Sequence, residues 1–191
     1  TVAAPVMLAN HVGLPIDQAI KMVDNIFRLH GIRERVILIA SGRVATPADM
    51  ARLFALGADM VAMARGQLLP LGCIQATKCH TNRRPTGVAT QDPWLRRALV
   101  VEEKAKRVAR YNKTMHDELR MLMAACGIKE TWQFNRRMVT MVVEPGKEIR
   151  LSDVYPYPPD CAQERNPVTI YNLEEYRAKY NCSREVEIPS Q

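Results

Sequence analysis

At 191 residues, 47% hydrophobic and 25% charged, the chain has an ordinary globular composition with room for one sizeable core, or a core plus an appendage. It has no apolar run near the roughly 20 residues of a membrane span and no charged–apolar–small leader pattern, so no membrane partner is expected. Five cysteines, odd in number and widely spread, argue against a secreted disulfide framework and predict a reducing, cytoplasmic setting.

The chain opens on Thr1 rather than Met, which predicts a fragment or a processed product. The net charge of +7 is uneven: residues 1–150 carry 23 Lys/Arg against 13 Asp/Glu, and residues 151–191 carry 4 against 7. A basic body attracts anionic cofactors, acidic substrates or nucleic acid. Basic residues scattered over helix surfaces are the simpler reading. Aromatics total only 6% and do not interleave with basic runs, so a nucleic-acid partner has net charge alone behind it.

The first clear element begins at Leu14-Pro15. Ile16, Ile20, Val23 and Phe27 recur at helical spacing, Pro15 suits the first turn, and Gly31 suits the position just past the end. "RVILIA" (residues 35–40) is a short β-branched run, which predicts a strand buried on both faces. Thr46-Pro47-Ala48-Asp49 reads as N-cap, proline at the first helical position and an acidic first turn, opening a helix that runs to Gly57. A second buried strand follows in "DMVAMA" (residues 59–64). Strand, helix and strand within about 30 residues make a parallel βαβ unit.

Residues 66–93 read as a long loop with a helical turn near "LLPLGCIQ". A long helix is then predicted from about Trp94 to Cys126, with Val101, Ala105, Val108, Met115, Leu119, Leu122 and Cys126 on one face and Asn112 the polar exception. That face predicts packing against its own domain. Gly127 ends the helix, and a short helix around residues 130–137 is expected. Residues 145–191 hold six of twelve prolines and five of six tyrosines, with little helical period before "NLEEYRAKY" (residues 172–180). The expected domain boundary falls between 143 and 144, with an irregular tail over 144–191.

Ser41-Gly42-Arg43 lies at the carboxyl end of the first buried strand, and Ala64-Arg65-Gly66 holds the same place after the second. In parallel α/β folds, ligands bind outside those ends. Glycines let backbone N–H groups approach a phosphate, and the arginines neutralise it. From spacing alone, a phosphate cradle and two plain turns with surface arginines are equally good readings.

The stretch from "ILIASGRVATPADM" through "MARGQLLPLGCIQATKCHTNRRPTGVATQDPWLRRALV" resembles the last strands of the FMN-binding barrel of glutamate synthases. It is most similar to the stand-alone FMN-binding proteins of that family. "AAPVMLANHVGLPIDQAI" resembles the stretch after the sixth barrel strand, and the resemblance covers about residues 1–139. It implies a (β/α)₈ TIM barrel, of which residues 1–143 would be the C-terminal portion with the seventh and eighth strands. It also implies that Ser41, Gly42, Arg43, Ala64, Arg65 and Gly66 contact the FMN phosphate. In that family the barrel makes 2-iminoglutarate from 2-oxoglutarate and ammonia, and reduced FMN converts it to glutamate. Electrons arrive through a 3Fe–4S cluster held by cysteines in C-x5-C-x4-C-P.

Here Cys73 and Cys79 match the first two ligand positions, and Arg84 occupies the third. A guanidinium supplies no thiolate and adds positive charge, so no cluster is expected. Zinc on Cys73, Cys79 and His80 is the weaker alternative. A (β/α)₈ barrel needs about 250 residues and eight strands. The chain is therefore expected to require a missing N-terminal barrel half, a partner subunit or self-association. Two readings follow: part of a glutamate synthase-like oxidoreductase, inactive alone, or a non-catalytic remnant acting as an interaction module. No catalytic residue is assigned.

Overall fold

Leu38 and Asp59 tie the centre of the molecule together. The amide of Leu38 donates to the Asp59 carboxylate at 2.7 Å, and the Asp59 amide returns a bond to the Leu38 carbonyl at 2.8 Å. From this clasp two strands run parallel, β1 (Ile39–Ala40) and β2 (Met60–Val61), with Ile39 opposite Met60 and Ala40 opposite Val61. The computed structural model describes residues 4–81, 85–88 and 90–159; Arg84, Cys161, Cys182 and the expected helix over 172–180 lie outside them.

Before the pair stand α1 (Val6–His11) and α2 (Ile16–Leu29). Pro15 precedes the first turn of α2, and Gly31 at φ +64° takes the left-handed position beyond its end. There the Ile32 amide bonds the Phe27 carbonyl and the Gly31 amide bonds that of Arg28, the two bonds of a Schellman closure. Between the strands, α3 (Pro47–Leu56) carries the expected cap: the Thr46 hydroxyl accepts from the Asp49 amide, and the Asp49 carboxylate accepts from the Thr46 amide. The βαβ unit is as expected.

The core is the α3 side of this unit. Leu53, Phe54, Ala55, Leu56 and Ala58 are buried with Ala40, Ile20, Leu119 and Met123, and the Phe54 ring stacks on Phe134. The strands are not buried on both faces as expected. Ala40 is fully buried, but Ile37, Ile39 and Met60 are 42, 56 and 50% exposed. Strand side chains alternate between faces, and only one face of this pair has a layer of helices over it among the described residues.

After β2 come α4 (Arg65–Leu68), α5 (Pro93–Arg96) and α6 (Val101–Ala125). The long helix expected from Trp94 is thus two helices. Asp92 caps α5 by accepting from the Trp94 and Leu95 amides, the chain turns at Ala98 and Leu99, and an extended Val100 starts α6 afresh. The buried face of α6 is Met115, Leu119 and Met123, so Val101, Ala105, Leu122 and Cys126, all exposed, fall off the expected stripe. Asn112 belongs to the covered side, where its carbonyl accepts from Gln67 Nε2 at 2.6 Å.

The expected boundary at 143/144 cuts through a hairpin. Strands β3 (Thr140–Glu144) and β4 (Lys147–Arg150) pair antiparallel around Pro145 and Gly146, the latter at φ +81°, and α7 (Leu151–Val154) follows. Leu151 is fully buried. Residues 144–154 are therefore regular structure docked on the core, where an irregular tail is expected. The short helix expected at 130–137 is a single 3₁₀ turn, Thr131–Gln133.

Candidate functional site

The chain leaves β1 through Ser41-Gly42-Arg43 and leaves β2 into α4, of which Ala64 is the N-cap and Arg65 and Gly66 are the first two residues. Because the strands are parallel neighbours, both segments emerge on one side. Ser41, Gly42, Arg43, Ala64 and Arg65 line one cavity of about 570 Å³. Gly66 lines an adjoining cavity of about 320 Å³, and Arg43 and Arg65 line both. The structure thus brings together all six residues singled out in the sequence, with the two guanidinium-bearing residues shared by the two spaces.

The glycines have a packing reason for being there. A Cβ on Gly42 would sit 3.1 Å from Cβ of Ile16, and a Cβ on Gly66 would sit 2.7 Å from both the Val44 carbonyl oxygen and Cε of Met63. Close passage of backbone against neighbouring protein, not only against a ligand, requires them. Arg43 itself sits at φ +51°, an uncommon conformation for a side-chain-bearing residue that adds strain at the cavity mouth.

The remaining wall was not legible as a site in the sequence. It is built by the segment from Val12 to Asp17, with Ala19 and Arg52. This puts the start of α2, whose first turn has no side-chain cap, on the cavity lining. The forewarning in the sequence is Gly13, two residues before Pro15 at a helix start. Asp17 is the wall's acidic residue, and it is paired with Arg52. Arg52 also stands 3.6 Å from Asp49. Burial works to raise the Asp49 carboxyl, but bonds from the Thr46 hydroxyl and the Ala45 and Thr46 amides, with the Arg52 charge, overcome it and hold the group below its ordinary value. By residue count, Arg43, Arg52 and Arg65 against Asp17 make the lining of this cavity net basic. Such a donor set fits a phosphate group.

The second cavity is lined by Cys73 and Cys79 besides the arginines, Leu68, Leu69, Gln75 and Thr77. Both cysteines are free thiols and part-buried. The third cluster-ligand position, Arg84, lies outside the described residues, and its guanidinium is no iron ligand. Among the described residues no three His, Cys, Asp or Glu side chains gather where they could hold a metal ion, so zinc on Cys73, Cys79 and His80 has no geometric support. The donor set present does not fit a three-thiolate cluster.

A family model described as a conserved region in glutamate synthase matches residues 1–129. The chain belongs to the glutamate synthase family. It is 43% identical over 147 residues to the glutamate synthase large subunit-like protein YerD of Bacillus subtilis, covering 77% of this chain and 28% of that one. It is 37% identical over 153 residues to the archaeal glutamate synthase (NADPH) of Methanocaldococcus jannaschii, covering 79% and 30%. With the glutamate synthase (NADPH) large chain of Bacillus subtilis it shares 33% identity over 129 residues, 68% of this chain and 8% of the other. The chain therefore spans under a third of the length of these family members. Its mixed helices and strands fit the α/β class, and among the described residues no helix is long and apolar enough to cross a membrane.

Proposed function

We propose that this chain is the C-terminal part of a (β/α)₈ barrel in a glutamate synthase-type flavoprotein, with β1 and β2 as its last two strands. The single observation that carries the reading is the convergence of both strand-end segments, with Arg43 and Arg65, on one net basic cavity. Ser41, Gly42, Arg43, Ala64, Arg65 and Gly66 would hold the FMN phosphate there, assisted by the first-turn amides of α2. When bound, FMN supplies hydride transfer for the reductive amination of 2-oxoglutarate to glutamate. This chain's own part is to anchor and orient: its guanidiniums neutralise the phosphate, and the Asp17–Arg52 pair keeps the wall from repelling it. The isoalloxazine and substrate contacts belong to strands outside this chain, so the chain by itself is inactive.

The test is flavin binding, alone and with the remaining barrel supplied. The isolated chain is expected to purify without stoichiometric yellow flavin. In the completed barrel, Arg65→Ala is expected to weaken FMN by about 1.5–3 kcal/mol, roughly 10- to 150-fold in Kd. An unchanged Kd removes Arg65 from the site. A second reading, a non-catalytic remnant that serves as an interaction module, draws on Arg84 at the third cluster-ligand position. Glutamate formation by the completed barrel with a direct chemical reductant of flavin would exclude it.

A further inference from the structure

We propose that Cys73 and Cys79 form a dithiol that closes to a disulfide by exchange with a small anionic disulfide of the oxidised-glutathione type. The inference concerns the chain free of FMN, in which Arg43 and Arg65 hold no phosphate. Both thiols are part-buried and both line the 320 Å³ cavity, whereas Cys126, the other cysteine among the described residues, is exposed. The loop between them is wound back on itself: Gln75 and Thr77 stand at φ +54° and +55°, two left-handed residues within five, and neither is glycine. Each such residue is unfavourable for an L side chain, and strain of this kind is held where a loop geometry serves a function. Here the loop places both cysteines on the lining of one cavity. Gly72 at φ +96° and the bond from the Cys73 amide to the Leu68 carbonyl, 3.0 Å, fix the loop's near end; the 3₁₀ turn at Cys79–Thr81 fixes its far end.

Two thiols cannot do what three would for iron, but two are what a disulfide needs. Arg43 and Arg65 on the same wall attract a disulfide that carries carboxylates. The exchange balances without another reagent. One thiolate attacks a sulfur of the small disulfide, forming a mixed disulfide and expelling one small thiol. The second cysteine attacks the protein sulfur of that mixed disulfide and expels the other. The protein loses two hydrogens and the small disulfide becomes two thiols.

Lys78 makes the bond easy to read, because trypsin cuts between the two cysteines and places them in peptides 66–78 and 79–83. The full chain, equilibrated with oxidised glutathione and then alkylated and digested, is expected to give these two peptides joined, with no glutathione retained on either. Dithiothreitol should separate them. Cys73→Ser and Cys79→Ser should each lose the joined pair and keep one glutathione on the remaining cysteine; if either variant misfolds, the native digest decides alone. Stable glutathione on both Cys73 and Cys79, or a bond from either to Cys126, would show that these sulfurs do not meet. Stoichiometric iron and sulfide after anaerobic isolation would show that they are cluster ligands instead. Either result overturns the proposal.

Discussion

Asp24 is fully buried, and three arginines converge on it: Arg28 Nε and Arg33 Nε at 2.8 Å and Arg136 Nη2 at 2.9 Å. Arg33 also reaches Asp59, and Arg136 donates to the carbonyls of Leu56, Tyr155 and Pro156 and to Asn25, with its guanidinium 4.2 Å from the centre of the Tyr157 ring. Burial pulls the Arg136 guanidinium below its ordinary value, and the Asp24 charge opposes that pull. Gly57, at φ +128°, is the only residue type that fits beside this carboxylate, since a Cβ there would lie 2.4 Å from Asp24 Cγ. Removing one member of a buried charge cluster strands the rest, so Arg136→Ala is expected to destabilise the fold by about 3–5 kcal/mol. Urea unfolding measures this. The double variant Asp24→Ala, Arg136→Ala should cost clearly less than the sum of the singles, whereas simple additivity would mean that the two residues do not share a network. Arg136→Lys should not restore stability, because an ammonium cannot make the fork of bonds that reaches five acceptors.

Element by element, the capped helix is the most legible part of the fold, and the cap also sets a pH response. The folded Asp49 carboxyl lies below the ordinary 3.8. Its contribution is therefore complete above 3.8 and is lost as pH falls through the lower, folded value. The difference in melting temperature between native chain and Asp49→Asn should be constant near neutrality and shrink towards zero in strong acid; a gap that persists there would place the cap's strength elsewhere. Thr46, Pro47 and Asp49 announce α3 because capping is a local matter of a few adjacent bonds. The two strand-end segments are legible for the same reason. The split before α6 is not, because Ala98 and Leu99 are good helix formers and only the turn at Leu99 and the extended Val100 separate α5 from α6. Nor is the hairpin, where a proline-bearing stretch hides strands that pair across Gly146. The Asp24 cluster is furthest from view: Asp24 and Arg136 are 112 residues apart, and each alone reads as a surface charge.

At the scale of the whole molecule, one apolar face decides what the chain can do alone. Ile37, Ile39 and Met60 project from the side of the parallel pair that no described helix covers. Parallel sheets ordinarily carry cover on both faces, and among the described residues the outer edges of β1 and β2 pair with no further strand. Under the proposed barrel, the missing strands close these edges and bury this face; without them, self-association is the available route to cover. Ile39→Glu separates the two consequences. In the isolated chain Ile39 is 56% exposed, so the variant should unfold in urea within about 0.5 kcal/mol of the native chain. It should at the same time sediment as a smaller species and bind less of a dye that reports exposed apolar surface. When the remaining barrel is supplied, the same glutamate would be carried into an apolar interior, and assembly and flavin uptake should fail. If Ile39→Glu instead unfolds the isolated chain, its core already extends across this face. The strand pair would then be the finished sheet of a small α/β unit rather than the closing edge of a larger one.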